Sequence, residues 1–218
     1  MAVIFPRWTN KLPMILGVVG PVVGAVVVAG IWYYFSPSYT DVGYKPTQPI
    51  AFSHKLHAGE MGIDCRYCHN TVEQGARAAV PPTSTCLNCH AYVKTESEEI
   101  KKLWASADAD EPIEWVRVHL LPDYAYFDHS VHLAAGIGCA SCHGRIDRMD
   151  VVQQEEPLSM GWCLDCHRDP SSHLRPRSEV ANMDYDPVAA GYDPHSDPER
   201  ARRDYKLDPP EHCSGCHR

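Results

Sequence analysis

Five copies of Cys-x-x-Cys-His, an uncharged run of membrane length and a proline-rich, phenylalanine-poor remainder predict the fold class: one N-terminal transmembrane helix followed by a body of loops and short helices. The repeats use all 10 cysteines of the 218-residue chain. The uncharged run is Leu12 to Phe35, 24 residues. The chain has 18 Pro and 13 His against 4 Phe, a composition that argues against a conventional oily interior.

Residues 1–11 carry Arg7 and Lys11, and the next charge is Asp41. Basic flanking residues place this end in the cytoplasm and the cysteine-rich body on the outer, periplasmic face of a bacterial inner membrane. The run at 12–35 exceeds the roughly 20 residues that span a bilayer core. A cleaved signal peptide is the alternative, but the run is long for one, lacks an A-x-A site and ends in Ile31-Trp32-Tyr33-Tyr34-Phe35, an interfacial aromatic anchor. Gly17, Gly20, Gly24 and Gly30 make one helix face small, as in helices that pack closely on another. Residues 36–51 form a linker without periodicity.

The body opens with Phe52-Ser53-His54-Lys55-Leu56-His57 and the first motif, Cys65 to His69. In Cys-x-x-Cys-His the two thiols can add across the vinyl groups of a porphyrin, and the following histidine lands beneath the iron, so the pattern reads as covalent c-type haem attachment. Zinc ribbons tolerate Cys₄ sets and variable spacing, and thioredoxin-like motifs need no fixed histidine. Neither deviation occurs here. The covalent residues are therefore Cys65, Cys68, Cys86, Cys89, Cys139, Cys142, Cys163, Cys166, Cys213 and Cys216, with proximal ligands His69, His90, His143, His167 and His217. Five c-type haems over about 183 residues leave each roughly 37 residues, so the porphyrins must supply much of the core.

Two haem units repeat. Phe52, His54, His57 and Gly62-Ile63 return as Phe127, His129, His132 and Gly136-Ile137, offset by 75 residues at His54/His129, 74 at Cys65/Cys139 and 77 at Cys86/Cys163. The first dihaem unit is 52–93, the second 127–168. Between them, 94–126 holds a short helix opened by a Thr95-Glu96-Ser97-Glu98 capping box, with Glu98 and Lys102 paired and Ile100, Leu103 and Trp104 on one face. Residues 169–218 are a polar arm bearing the fifth haem, and Tyr185, Tyr192 and Tyr205 favour an arm draped over the body rather than a free tether.

Eight histidines remain for the opposite faces of the irons. His54, His57, His129 and His132 occupy equivalent places upstream of motifs, and they are expected to serve the first, second, third and fourth haems in that order. His119 is the fifth distal candidate. Met149 and Met160 compete, because His/Met ligation raises the potential relative to bis-His. His173, His195 and His212 are expected to face solvent.

The segments FSHKLHAGEMGIDCRYCHN, VPPTSTCLNCH, WVRVHLLPDYAYFDHSVH and PLSMGWCLDCHR resemble the pentahaem cytochrome c subunit of bacterial alternative complex III, the quinol:electron-acceptor oxidoreductase, and more broadly the class III/c7 multihaem cytochromes. The resemblance implies partners: an iron–sulfur subunit related to molybdopterin enzymes, polysulfide-reductase-like integral membrane subunits and a monohaem cytochrome c. It also implies a place in a respiratory chain, as a wire from the quinol side towards a soluble carrier or terminal oxidase.

The residues themselves point the same way, since an iron held on both faces has no open position for substrate and the subunit needs no catalytic site of its own. The rival is a stand-alone quinol dehydrogenase, singly anchored and touching quinol with its own haem. A nitrite-reductase-like catalyst fits poorly, because all five proximal positions are histidine. The net charge of −8 disfavours nucleic acid and anionic lipid surfaces and suits a basic patch on a redox protein.

Overall fold

The structure is a computed structural model that describes residues 5–191, 203 and 205–218; Tyr192 and His195 lie outside the described residues. The chain divides into two compact units, Met1–Val42 and Gly43–Arg218.

In the first unit a 3₁₀ turn, Arg7–Lys11, leads into α1, Leu12–Tyr34. Pro13 sits in the first turn, where its missing N–H costs nothing, and the helix continues through Pro21. At about 1.5 Å per residue, 23 residues reach roughly 35 Å, enough for a bilayer core. None of them is buried within the unit, as befits a helix that is apolar all round. A Cβ added at Gly17, Gly20, Gly24 or Gly30 would meet nothing within 4 Å, so the small face is open. Past Tyr34, the short α2 (Pro37–Thr40) brings Tyr39 to 5.5 Å from the Tyr33 ring and 4.7 Å from Tyr34.

The second unit has no strand among its described residues. Two isolated backbone bridges, Ala125 with His217 and Ile137 with Leu174, are its only extended pairing. Its helices are short: α3 (Cys65–Cys68), α4 (Thr83–His90), α5 (Glu98–Ala109), α6 (His129–Ala134), α7 (Ala140–His143), α8 (Met160–Arg168) and α9 (Cys213–Cys216). Eight hydrophobic side chains are buried among the described residues, in three separate clusters. So small an apolar interior cannot offset the ordering entropy of a body this size.

The first cluster joins α5 to the second motif. Ile100 and Leu103 pack with Ile50 and with Cys86, Leu87, Ile113 and Trp115. The expected capping box is displaced: Ser97 is the N-cap and makes no side-chain cap bond. The expected Glu98/Lys102 pair is also replaced, by Glu98–Lys101 at 2.8 Å and Glu99–Lys102 at 2.7 Å. Glu99 takes Lys102 while its carboxylate also accepts from the Ala51 N–H, which ties the helix to the chain just before Phe52. Trp104 stays 38% exposed, so the buried stripe is Ile100 and Leu103 alone.

The arm after α8 packs back on the haem-motif body as far as Tyr185. Ser171, Leu174 and Val180 are its most buried residues, Leu174 against Ile137 and Val180 with Val72 and Leu133. Farther along, Tyr205 and Leu207 close over Ile137 and Leu174. At Leu174, 1% exposed, removing the side chain leaves a void that short loops cannot refill. Leu174→Ala is expected to cost about 2–5 kcal/mol and to lower the denaturation midpoint of the haem-loaded protein, followed by the loss of its visible dichroism.

Candidate functional site

Each Cys-x-x-Cys-His segment forms one helical turn. The His69 N–H bonds the Cys65 carbonyl at 2.9 Å, His143 bonds Cys139 at 3.0 Å and His217 bonds Cys213 at 2.9 Å. The second and fourth motifs form the last turns of α4 and α8. A turn puts residues i, i+3 and i+4 on one face, so both thiols and the imidazole point the same way. Local capping fixes the turns: Asp64 accepts from the Arg66 N–H at 2.8 Å, and the Ser159 hydroxyl accepts from Trp162. The ten cysteines form no disulfides.

Seven candidate imidazoles share a second feature. Nδ1 faces a backbone carbonyl oxygen in His57 (Ser53, 2.8 Å), His69 (Ala79, 2.8 Å), His90 (Val93, 3.0 Å) and His129 (Ala76, 2.8 Å). It does so again in His132 (Asp128, 2.7 Å), His167 (Pro210, 2.7 Å) and His217 (Tyr124, 3.1 Å). A carbonyl can only accept, so Nδ1 carries the proton and the lone pair is at Nε2. These histidines are set as donors to a metal.

The rings also pair. His57 and His90 stand 6.1 Å apart between centres, His132 and His167 6.2 Å, and His129 and His143 6.4 Å with planes within 9°. Two imidazoles on opposite sides of one metal, each about 2.0 Å from it, would have centres roughly 6 Å apart. For His54, the imidazoles acting on it are His69 first and His57 second. A phenylalanine supports each expected distal pair: Phe52 stacks on His57 at 4.4 Å and meets His54 edge-on at 4.8 Å, while Phe127 lies 4.4 Å from His132 and 4.7 Å from His129. The duplication read from the sequence is thus repeated in side-chain geometry. Gly62 and Gly136 follow with φ of +67° and +87°, a region where a side chain would be strained, and turn the chain towards each motif.

The remaining candidates are placed differently. His119 lies 4.4 Å from the His143 ring, edge-on and too close for a metal between them, while His217 has Tyr124 at 5.7 Å as its ring neighbour. Met160 is 68% exposed, and the Met149 carbonyl accepts from the Lys55 N–H. His212 faces solvent, whereas His173 is half-buried and burial lowers its pKa. Three imidazole nitrogens are buried without a partner: Nδ1 of His54, Nδ1 of His143 and Nε2 of His119. Burial, reinforced by neighbouring imidazoles, pushes His143 down to about 3 and His54 to about 4. Both rings are neutral at physiological pH.

Comparison with known proteins agrees with this chemistry. Residues 125–218 match the family model "Cytochrome c7 and related cytochrome c", and residues 36–119 match "Class III cytochrome C family". The menaquinone reductase multiheme cytochrome c subunit of Nitratidesulfovibrio vulgaris is 33% identical over 173 residues, which cover 78% of this chain and 71% of that protein. The chain belongs to the class III/c7-type multihaem cytochromes c.

As such a cytochrome it carries covalently attached c-type haem, whose iron supplies a one-electron couple. The residues fit that group: thiol pairs beside imidazoles, and imidazole rings at the separation of a shared metal. The carbonyl acceptors were largely invisible in the sequence. Ser53 and Asp128 lie four residues before His57 and His132, a helical spacing that could have revealed them, whereas Ala76, Pro210 and Tyr124 are remote from the histidines they orient.

The depressed histidines give a pH dependence. Their pKa values are lowered on folding, so the unfolded chain binds more protons between their folded values and the ordinary 6.5, and stability is lost as the pH drops through that window. The denaturation midpoint of the cytochrome is expected to hold above pH 7 and decline steadily from about pH 6 towards 4. A midpoint independent of pH there would contradict neutral, buried imidazoles.

Proposed function

We propose that this cytochrome is the membrane-anchored pentahaem electron-transfer subunit of a quinone-linked respiratory complex, of the alternative complex III kind. The observation that carries the reading is the pairing of carbonyl-oriented imidazoles at equivalent places in the two units, His57 with His90 and His132 with His167. On this reading all ten cysteines attach haem, and His69, His90, His143, His167 and His217 are the proximal ligands. His54, His57, His129 and His132 are distal in the order of the first four motifs. His119, set against His143, stands as a further donor beside the third site, and Met149 and Met160 have no comparable placement.

The thiols support a conducting row. Cys86 is beside Cys68, Cys65 is beside Cys139, and Cys142 and Cys163 are neighbours, with Cys216 next to Cys163. The motifs therefore follow one another as second, first, third, fourth, fifth. With the first four irons held on both faces, those haems have no open position for substrate and serve to move electrons. The apolar α1, with its open glycine face, supports an anchor that packs against integral membrane subunits, the haem body being on the periplasmic side. Partners on this reading are an iron–sulfur subunit, polysulfide-reductase-like membrane subunits and a monohaem cytochrome c.

The name of the Nitratidesulfovibrio relative favours a second reading, in which electrons run through a similar assembly towards menaquinone instead of away from quinol. Purification of the intact assembly separates the alternatives. Five haems per chain, large membrane subunits retained through detergent, and haem reduction by added quinol are expected. Oxidation of the reduced haems by menaquinone alone would establish the second reading, and quinol oxidation by the isolated chain would establish a stand-alone dehydrogenase. His132→Ala is expected to leave the haem count unchanged and to convert one low-spin ferric centre to high spin in the electron paramagnetic resonance spectrum. An unaltered spectrum would remove His132 from the ligand set.

A further inference from the structure

We propose that Arg175 sets the potential of the haem attached at the third motif, its fixed cation favouring the reduced and less positive state there. The inference rests on the reading that Cys139–His143 carries haem. Arg175 follows the most buried leucine of the arm, and its backbone N–H bonds the Gly136 carbonyl at 2.9 Å. This seats the side chain beside the motif. Its guanidinium lies flat against Gly138, the residue before Cys139, where any Cβ would overlap it. Tyr185 covers the other side with its ring centre 5.2 Å from Cζ, and Nη1 donates to the Asn182 carbonyl at 2.9 Å.

Burial without a carboxylate partner separates Arg175 from the other arginines near motifs, of which Arg218 is exposed. Arg66 and Arg168 are tied to carboxylates, and so is Arg145. Arg175 is in no ion pair among the described residues, and its Nε is buried without an acceptor. A half-buried cation that makes no ion pair among the described residues and sits beside Cys139, in the motif whose His143 is deeply buried, acts through little solvent. Both Gly138 and Tyr185 hold it in place, so the charge is built into the site.

The test is a redox titration, by electron paramagnetic resonance, of the haem-loaded full chain carrying Arg175→Gln or Arg175→Lys. In Gln the reduction equilibrium of one centre should shift about tenfold towards the oxidised form, about 59 mV for one electron, with haem count and line positions unchanged. Lys should restore it to within about threefold. Unmoved transitions in Gln, or equal shifts in Gln and Lys, overturn the proposal. Should Gln block attachment at Cys139, Lys decides: a wild-type potential supports the proposal and a shifted one overturns it. Absence of haem from the wild-type Cys139–Cys142 peptide by mass spectrometry would instead overturn the underlying reading.

Discussion

The hydrogen bond from an imidazole Nδ1 to a backbone carbonyl is the interaction on which the rest of this molecule depends. It fixes the tautomer, turns the ring and leaves the lone pair on Nε2, the nitrogen able to bind a metal. It also builds the fold, because several acceptors lie far along the chain. Ala76 serves His129, Pro210 serves His167 and Tyr124 serves His217, with separations of 53, 43 and 93 residues. Each such bond closes a loop that eight buried apolar side chains could not close unaided. Site geometry and tertiary structure are therefore the same set of contacts, and loss of one weakens both.

Legibility in the sequence followed the range of the interaction. The Cys-x-x-Cys-His turns and the uncharged run from Leu12 were readable because their chemistry is local: one turn presents the thiols and imidazole together, and one helix takes up the uncharged run. The duplication was readable from spacing, and the matched packing of Phe52 on His57 and Phe127 on His132 shows why the phenylalanines accompany the histidines. Boundaries depending on tertiary partners were not readable. Glu98 was expected to pair with Lys102, but Glu99 takes that lysine because it also reaches the Ala51 N–H. His119 could be named a candidate donor, yet nothing local foretold that it would lie against His143 instead of His217. That outcome depends on how the irregular segment 113–126 runs between the two dihaem motif pairs.

The polar arm illustrates how a segment without periodicity still acquires structure. Its composition, dense in Pro, Asp, Arg and Ser, has no apolar face, yet Leu174 and Val180 are among the most buried residues of the body. Val180 enters a cluster with Val72 and Leu133, one from each dihaem unit, while Leu174 packs on Ile137 and adds a backbone bridge to it. Anchoring at isolated points suits a chain that must pass over the edges of bulky groups instead of forming a layer of its own. One of those points delivers the Arg175 guanidinium to the third motif, so the arm contributes charge as well as cover.

Exposure along the row of motifs bears on how such a chain would be used. In the order second, first, third, fourth, fifth, the two termini are the motifs with an exposed cysteine, Cys89 and Cys213, while the thiols between them are partly covered. His143, at the centre, is deeply buried, with neighbouring imidazoles on either side. Exposed ends and a shielded middle are what a relay between two protein partners requires: the ends must come within tunnelling reach of something else, and the middle must keep a stable environment against solvent. A catalytic subunit would need the opposite arrangement, an enclosed pocket with one free coordination position and a path for substrate. The distribution of burial, set by where the carbonyl-anchored histidines draw the chain together, therefore favours conduction between neighbours over chemistry within the subunit.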